Sequence, residues 1–188
     1  MGRPKSYDRD QVLRAATRLF WERGYEGTHL QALVEATGVN RFSLYGEFGG
    51  KEGLFRAALE RYIEGLGELG APLQRDPPGL DNIRAFYRGF LASEFHHGCL
   101  ALNTIREKHL VPEAVFERVQ AFARDVEASF LRNLEAAHDR GELAPEADPL
   151  ALAQLLTAVD FGLLTYDIVA RDPHARRRVI AQVERLLR

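Results

Sequence analysis

The sequence predicts an all-α fold, with a small N-terminal helix-turn-helix domain followed by a larger C-terminal helical domain. Three observations carry this prediction. Alternating apolar and polar runs are absent, while apolar residues recur at helical spacing throughout. Residues that start and stop helices punctuate those stretches. Residues 28–55, THLQALVEATGVNRFSLYGEFGGKEGLF, read as two short helices joined by a tight turn, with a third helix starting just after.

Taken in order, Asp8 can cap a first helix running to about Arg23, with Val12, Leu13, Ala16, Leu19 and Phe20 as its inner stripe and Gly24 as its stop. Thr28 is placed to N-cap the second helix, and Gln31, three residues on, completes a capping box. Leu30, Leu33 and Val34 follow at helical spacing, and Gly38 ends that helix in the left-handed conformation. Asn40 is the expected N-cap of the third. There Leu44 and Phe48, four apart, are expected to face inward, and Arg41, Ser43, Tyr45 and Glu47 outward. A short helix with a small-residue turn before it and a polar outer face fits a DNA major groove.

A fourth helix begins at Lys51, carries Leu54, Phe55, Ala58, Leu59 and Tyr62 inward, and runs into Gly65, Gly67 and Gly70. Residues 70–80, GAPLQRDPPGL, are the clearest loop. A fifth helix is expected from about Asp81 to Phe95, and after His96, His97 and Gly98 a shorter one from about Leu100 to His109. Pro112 opens a long helix reaching about Arg140, where Gly141 ends it. Asp148–Pro149 and Asp172–Pro173 repeat one signal, an N-cap acid followed by proline at the first helical position. They open the last two helices, about 149–170 and 173–187.

Those last two helices carry more apolar residues than one buried face requires, among them Leu150, Leu155, Leu163, Val169, Val183 and Leu186. Such a helix occupies a deep core or meets a partner subunit.

With 188 residues the chain has room for a small head on a larger body. It has no run of about 18 uninterrupted apolar residues, so no membrane-spanning helix is expected. The start, MGRPKSYDRD, lacks the apolar stretch of a signal peptide. One cysteine excludes an intrachain disulfide and suits a reducing cytoplasm. The net charge is −2. Residues 1–64 hold ten Lys or Arg against nine Asp or Glu, and the remainder fifteen against eighteen. Within this weak asymmetry Arg3, Lys5, Arg41 and Lys51 form a local basic rim able to meet phosphates. No nucleophile elbow, phosphate loop, HExxH or set of paired carboxylates is present, so neither catalytic residues nor a cofactor are expected.

The segments GYEGT at 24–28 and VNRFSLYGEFGGKEGLF at 39–55 resemble the TetR family of bacterial transcriptional repressors. The spacing of Tyr45, Phe48 and Lys51, followed by Glu52 and Leu54, is the most specific part of the match. The resemblance covers roughly residues 8–62 at the level of motifs, and only architecture beyond. It implies a DNA-binding domain over residues 1–50 and a ligand-binding and dimerisation domain over 51–188, connected by the helix 51–66. It further implies a cytoplasmic homodimer held through the last two helices, bound to a palindromic operator in double-stranded DNA, released by an unknown small-molecule effector, and without a membrane partner.

Arg41 can give a bidentate fork to guanine or contact a phosphate, and Asn40 and Ser43 can bond bases or phosphate. Tyr45 falls at a position that in the family meets the DNA backbone. Thr28 and Lys51 stand at helix N-termini, where a phosphate is favoured. Phe42, Gly46 and Gly50 depart from the family's pattern and leave base preference open.

An effector pocket is expected among the middle helices, with Phe90, Phe95, Phe130, Phe161 and Tyr166 as walls and His97, Asn103 and Asp160 as polar handles. Cys99, the only thiol, precedes a helix. It is either a reactive sensor or a small buried hydrophobe. His96, His97 and Cys99 lack a fourth metal ligand, and no metal site is expected. Two other readings stay open: a thiol-based sensor of the same fold using Cys99, and a helical interaction module with degenerate DNA binding.

Overall fold

The structure, a computed structural model, describes residues 7–93, 97–169, 172 and 174–187. Arg3, Lys5, Phe95, His96 and Pro173 lie outside them. The described residues are helical with no strand: α1 (Arg9–Arg23), α2 (Leu30–Thr37), α3 (Arg41–Phe48), α4 (Lys51–Gly65), α5 (Gly67–Gly70), α6 (Leu80–Ala92), α7 (Leu100–Arg106), α8 (Glu113–Asp139), α9 (Pro149–Val169) and α10 (Ala175–Leu186). They divide into two compact units, residues 1–65 with 99–119, and residues 66–98 with 120–188, the last boundary along the chain falling inside α8.

The head unit is built on α1. The Asp8 carboxylate accepts from Asp10 N at 2.9 Å to start the helix. Gly24, at φ 74°, ends it by donating its N–H to Phe20 O at 2.8 Å. Val12, Leu13, Ala16, Leu19 and Phe20 are buried as the periodicity predicts. Phe20 meets Phe55 of α4 edge-on at 4.7 Å between ring centroids, and each such buried ring contributes roughly 2–3 kcal/mol. Gly38 and Gly49 close α2 and α3 with left-handed φ.

α7 packs on α1 and α4. Just beyond it, the Glu107 carboxylate accepts from Tyr25 N at 2.7 Å and Glu26 N at 3.0 Å. Gly24 is doubly required: its φ is positive, and a Cβ there would lie 2.9 Å from Glu107 Oε1. In the same unit Arg118 Nε donates to both Glu60 oxygens at 3.0 Å.

In the body unit, residues 70–80 are less loop-like than the sequence suggests. α5 leads into a 3-10 turn over Ala71–Gln74 with Pro72 in its first turn, and Leu73 is buried. What holds the segment is Asn133, fully buried on α8. Its Nδ2 donates to Leu73 O and Ser129 O at 2.8 Å, and its Oδ1 accepts from Gly79 N and Asn82 Nδ2 at 2.9 Å. One amide thus satisfies all four of its hydrogen-bonding positions. Asn133→Ala strands the buried Gly79 N–H and leaves the Leu73 carbonyl only a long 3.4 Å bond from Arg132, and is expected to cost about 2–4 kcal/mol. Urea unfolding measures this, and a loss under about 1 kcal/mol would show that the network contributes little.

α6 ends at Ala92, short of the expected Phe95, where Arg176 of α10 donates to Phe90 O at 2.8 Å and Ser93 O at 2.9 Å. A guanidinium on the last carbonyls complements the helix dipole. α7 stops at Arg106 rather than His109. Asp148 caps α9 as expected, its carboxylate accepting from Leu150 N at 2.9 Å.

Pro149–Tyr166, although not an uninterrupted apolar run, has by length and mean hydropathy alone the profile of a helix able to cross a membrane. The two criteria differ because an apolar average tolerates interruption by Asp160 and a few small polar residues, and length and composition alone are also met by a helix that buries its apolar side chains in protein. A third of that stretch is buried within the chain. Large apolar side chains left exposed on α9 and α10 include Leu150, Leu155, Tyr166, Val169 and Leu186.

Candidate nucleic-acid interface

α3 is capped at both ends by its own neighbours. Asn40 Oδ1 accepts from Ser43 N at 2.9 Å, and Gly49 N–H returns to Tyr45 O at 2.8 Å. With its ends satisfied locally, the helix needs only one buried anchor, Leu44, and a half-buried Phe48.

Its outward face differs from the expected one. Arg41, Phe42, Tyr45 and Gly46 are exposed. At about 100° per residue these four share an arc of about 140°. Glu47 falls outside that arc and turns to the start of α1, where Arg9 Nε pairs with it at 3.3 Å and Tyr7 Oη, just before the helix, donates to it at 3.2 Å. Ser43 also falls outside the arc, about 60° beyond its Gly46 end, and is half-buried.

The Arg41 guanidinium lies 5.6 Å from the centroid of the Tyr45 ring. That ring, 46% exposed, rests on Gly50, where a Cβ would come within 3.0 Å of Tyr45 Cε1. Gly50 also has φ 113°, so glycine is called for at this position by two local causes.

Two expected contact residues are committed elsewhere. Thr28 is fully buried, and its hydroxyl donates to Gly24 O at 2.7 Å. It does not cap α2, whose N-cap is His29 without a side-chain bond. The hydroxyl is taken by the carbonyl at the end of α1, so Thr28 closes the α1–α2 turn and offers no side chain to a phosphate.

Lys51 turns inward, with Nζ 4.3 Å from the Tyr25 ring centroid and 3.5 Å from Glu26 O. Burial lowers its pKa, an effect opposed by the carboxylates of Glu107 and Glu26. A cation over a ring is already partly satisfied, so Lys51 buttresses the start of α4 more than it reaches outward. Phe42, 89% exposed, was not singled out as a contact residue. The available signal was its position out of register with Leu44 and Phe48.

The residues expected to line an effector pocket separate. Phe90, Phe130 and Asp160 are buried in the body unit, Phe161 is half-buried there, and His97 and Tyr166 are exposed. Cys99 and Asn103 belong to the head unit. The body's aromatic cluster adds Phe86 and Tyr87, with Phe86 5.4 Å from Phe130 edge-on and 5.9 Å from Phe90. Asp160 is 3% exposed, and neither of its oxygens nor the adjacent Tyr87 hydroxyl completes a well-aligned hydrogen bond. Burial pushes the Asp160 carboxyl up to about 8, against a lowering by Tyr87. In the head, burial also raises the Cys99 thiol, which lies beside the Tyr62 hydroxyl.

The profile described as "Bacterial regulatory proteins, tetR family" matches residues 12–58, and that described as "Tetracyclin repressor-like, C-terminal domain" matches residues 79–183. The chain is 34% identical to the HTH-type transcriptional repressor ComR of Escherichia coli K12, over 86% of this chain and 80% of that one. Among solved structures it resembles the TetR family regulator CifR, as a cysteine mutant bound to a 26-base-pair operator, with 34% identity, TM-score 0.80 and coverage of 99% and 98%. It also resembles the reduced form of Escherichia coli NemR, with 27% identity, TM-score 0.81 and 95% of each chain covered. Profiles for both domains and a relative matched over most of its length agree with the helix-turn-helix geometry, and the chain belongs to the TetR family of DNA-binding transcriptional regulators.

Proposed function

We propose that the chain is a repressor that sits as a homodimer on a palindromic operator in the bacterial cytoplasm and is released by a small molecule bound in its body unit. The observation that carries this reading is the outward arc of α3, where a cation, a phenol and a bare backbone stand together on a helix capped at both ends. Arg41 reads a base edge or a phosphate, Tyr45 meets the backbone, and Asn40 and Ser43 flank them. Support also comes from CifR, which is seen on operator DNA, and from ComR, which is named a repressor.

The second copy of the chain is the occupant we assign to the exposed apolar side chains of α9 and α10. A single short recognition helix reads few bases, and a two-fold dimer reads two half-sites. The effector site rests on Phe90, Phe130 and Asp160, with Phe161 next to Asp160 in sequence. These combine apolar walls with one buried ionisable group.

Selection of bound duplexes from a random pool at about 150 mM salt, with sedimentation of the same sample, tests the reading. A palindrome bound by a dimer supports it. No enrichment from folded dimer favours the interaction module instead. Thiol sensing is a weaker reading, because a buried thiol with a raised pKa holds little of the reactive thiolate. Hydrogen peroxide is therefore expected to leave operator affinity unchanged in the wild type and in Cys99→Ala alike. An oxidant response present only in the wild type would restore the sensor.

A further inference from the structure

Phe42 is the most exposed large apolar side chain among the described residues, at 89%. It stands on a two-turn helix whose other apolar residues, Leu44 and Phe48, point inward, and it gives nothing to the core. One turn on, at the same ridge, is Gly46, also exposed, with nothing within 4 Å of where a Cβ would stand. The ridge next to Arg41 and Tyr45 is therefore an aromatic ring followed by bare backbone. An apolar ring in water at the centre of a polar contact surface calls for an apolar partner there. On the floor of the major groove the apolar group available at base edges is the C5-methyl of thymine.

We propose that Phe42 reads a thymine methyl in each operator half-site, and that Gly46 lets the helix approach closely enough for that contact. This rests on the reading of the chain as an operator-binding regulator. It adds a specificity residue that replaces hydrogen-bond readout at one base pair with contact to a methyl group.

Deoxyuridine substitution isolates the methyl, since it removes that group and keeps every hydrogen-bonding atom of the base pair. The experiment takes the duplex selected by the wild-type protein, replaces each thymine in turn, and measures affinity for the wild type and Phe42→Ala. The expected result is one position per half-site at which the wild type loses about fourfold. Phe42→Ala loses nothing further at that position and binds the unsubstituted duplex with correspondingly lower affinity. Circular dichroism of the variant is expected to match the wild type, because a side chain this exposed supports no packing. Two results would overturn the proposal while leaving the regulator reading intact: no thymine whose methyl matters to the wild type, or the same deoxyuridine sensitivity in Phe42→Ala. A wild-type protein that selects no duplex removes the regulator reading itself, and this proposal with it.

Discussion

Arg41→Ala and Tyr45→Ala are each expected to lower operator affinity by about ten- to a hundredfold with helicity unchanged. The magnitude follows from a charge-assisted or bidentate contact of about 1–3 kcal/mol. The fold is insulated because α3 is held by the Asn40 cap, the Gly49 N–H bond to the Tyr45 backbone carbonyl and the buried Leu44, all of which both truncations leave in place. The two losses are not expected to add. The Arg41 guanidinium lies over the Tyr45 ring, and such an exposed stack is worth about 0.5–1 kcal/mol. Removing the ring frees the guanidinium as well as deleting the phenol, so the double variant should lose less than the sum of the singles. Salt titration separates the roles of Arg41. A phosphate contact predicts a salt slope reduced by about one in the alanine variant, and a base contact predicts a nearly unchanged slope with relaxed sequence preference. Unchanged affinity in both single variants would remove α3 as the reading element.

Asp160→Asn is expected to stabilise the protein, and increasingly so as pH rises. A carboxyl in the unfolded chain titrates near 3.9, whereas burial raises Asp160 to about 8 in the folded state. Between these values the folded protein holds a proton that the unfolded chain has lost, so stability falls as pH rises from about 4 to 8. Below 4 both states are protonated and the penalty is absent, and above 8 it is complete. A shift of that size corresponds to several kcal/mol. The asparagine variant is therefore expected to melt roughly 5 °C or more above the wild type at pH 8, with the two curves converging near pH 4. Equal melting temperatures at pH 8 would show that Asp160 is hydrated or paired in solution. A buried acid kept at such a cost, beside Tyr87 in an aromatic cluster, fits a group retained for binding rather than for stability.

Much of the helical order was legible in sequence because its determinants are local. Asp8, Asn40 and Asp148 cap helices through N–H groups two or three residues away, and Gly24, Gly38 and Gly141 end helices through their own positive φ. The buried stripe of α1 followed from its spacing alone. Thr28 shows the limit of such reasoning. A threonine before a helix with Gln31 three residues on is a capping box by pattern, yet its hydroxyl found a nearer acceptor at the end of the preceding helix. Glu47 was assigned outward by contrast with Leu44 and Phe48, when the angular position on the wheel places it toward α1.

The sequence by itself determined that the chain is built of helices, where most of them start and stop, and which short helix has the length and capping of a recognition helix. Each of those follows from backbone bonding and periodicity within a few residues. Tertiary structure alone decided which side chains remain available. Lys51 is drawn over Tyr25, and Glu107 reaches back to Tyr25 and Glu26 from some eighty positions away. α7 joins the head, and Asp160 loses its water. Availability and burial depend on surfaces brought together from distant parts of the chain, and no local pattern encodes the partner that a side chain will meet.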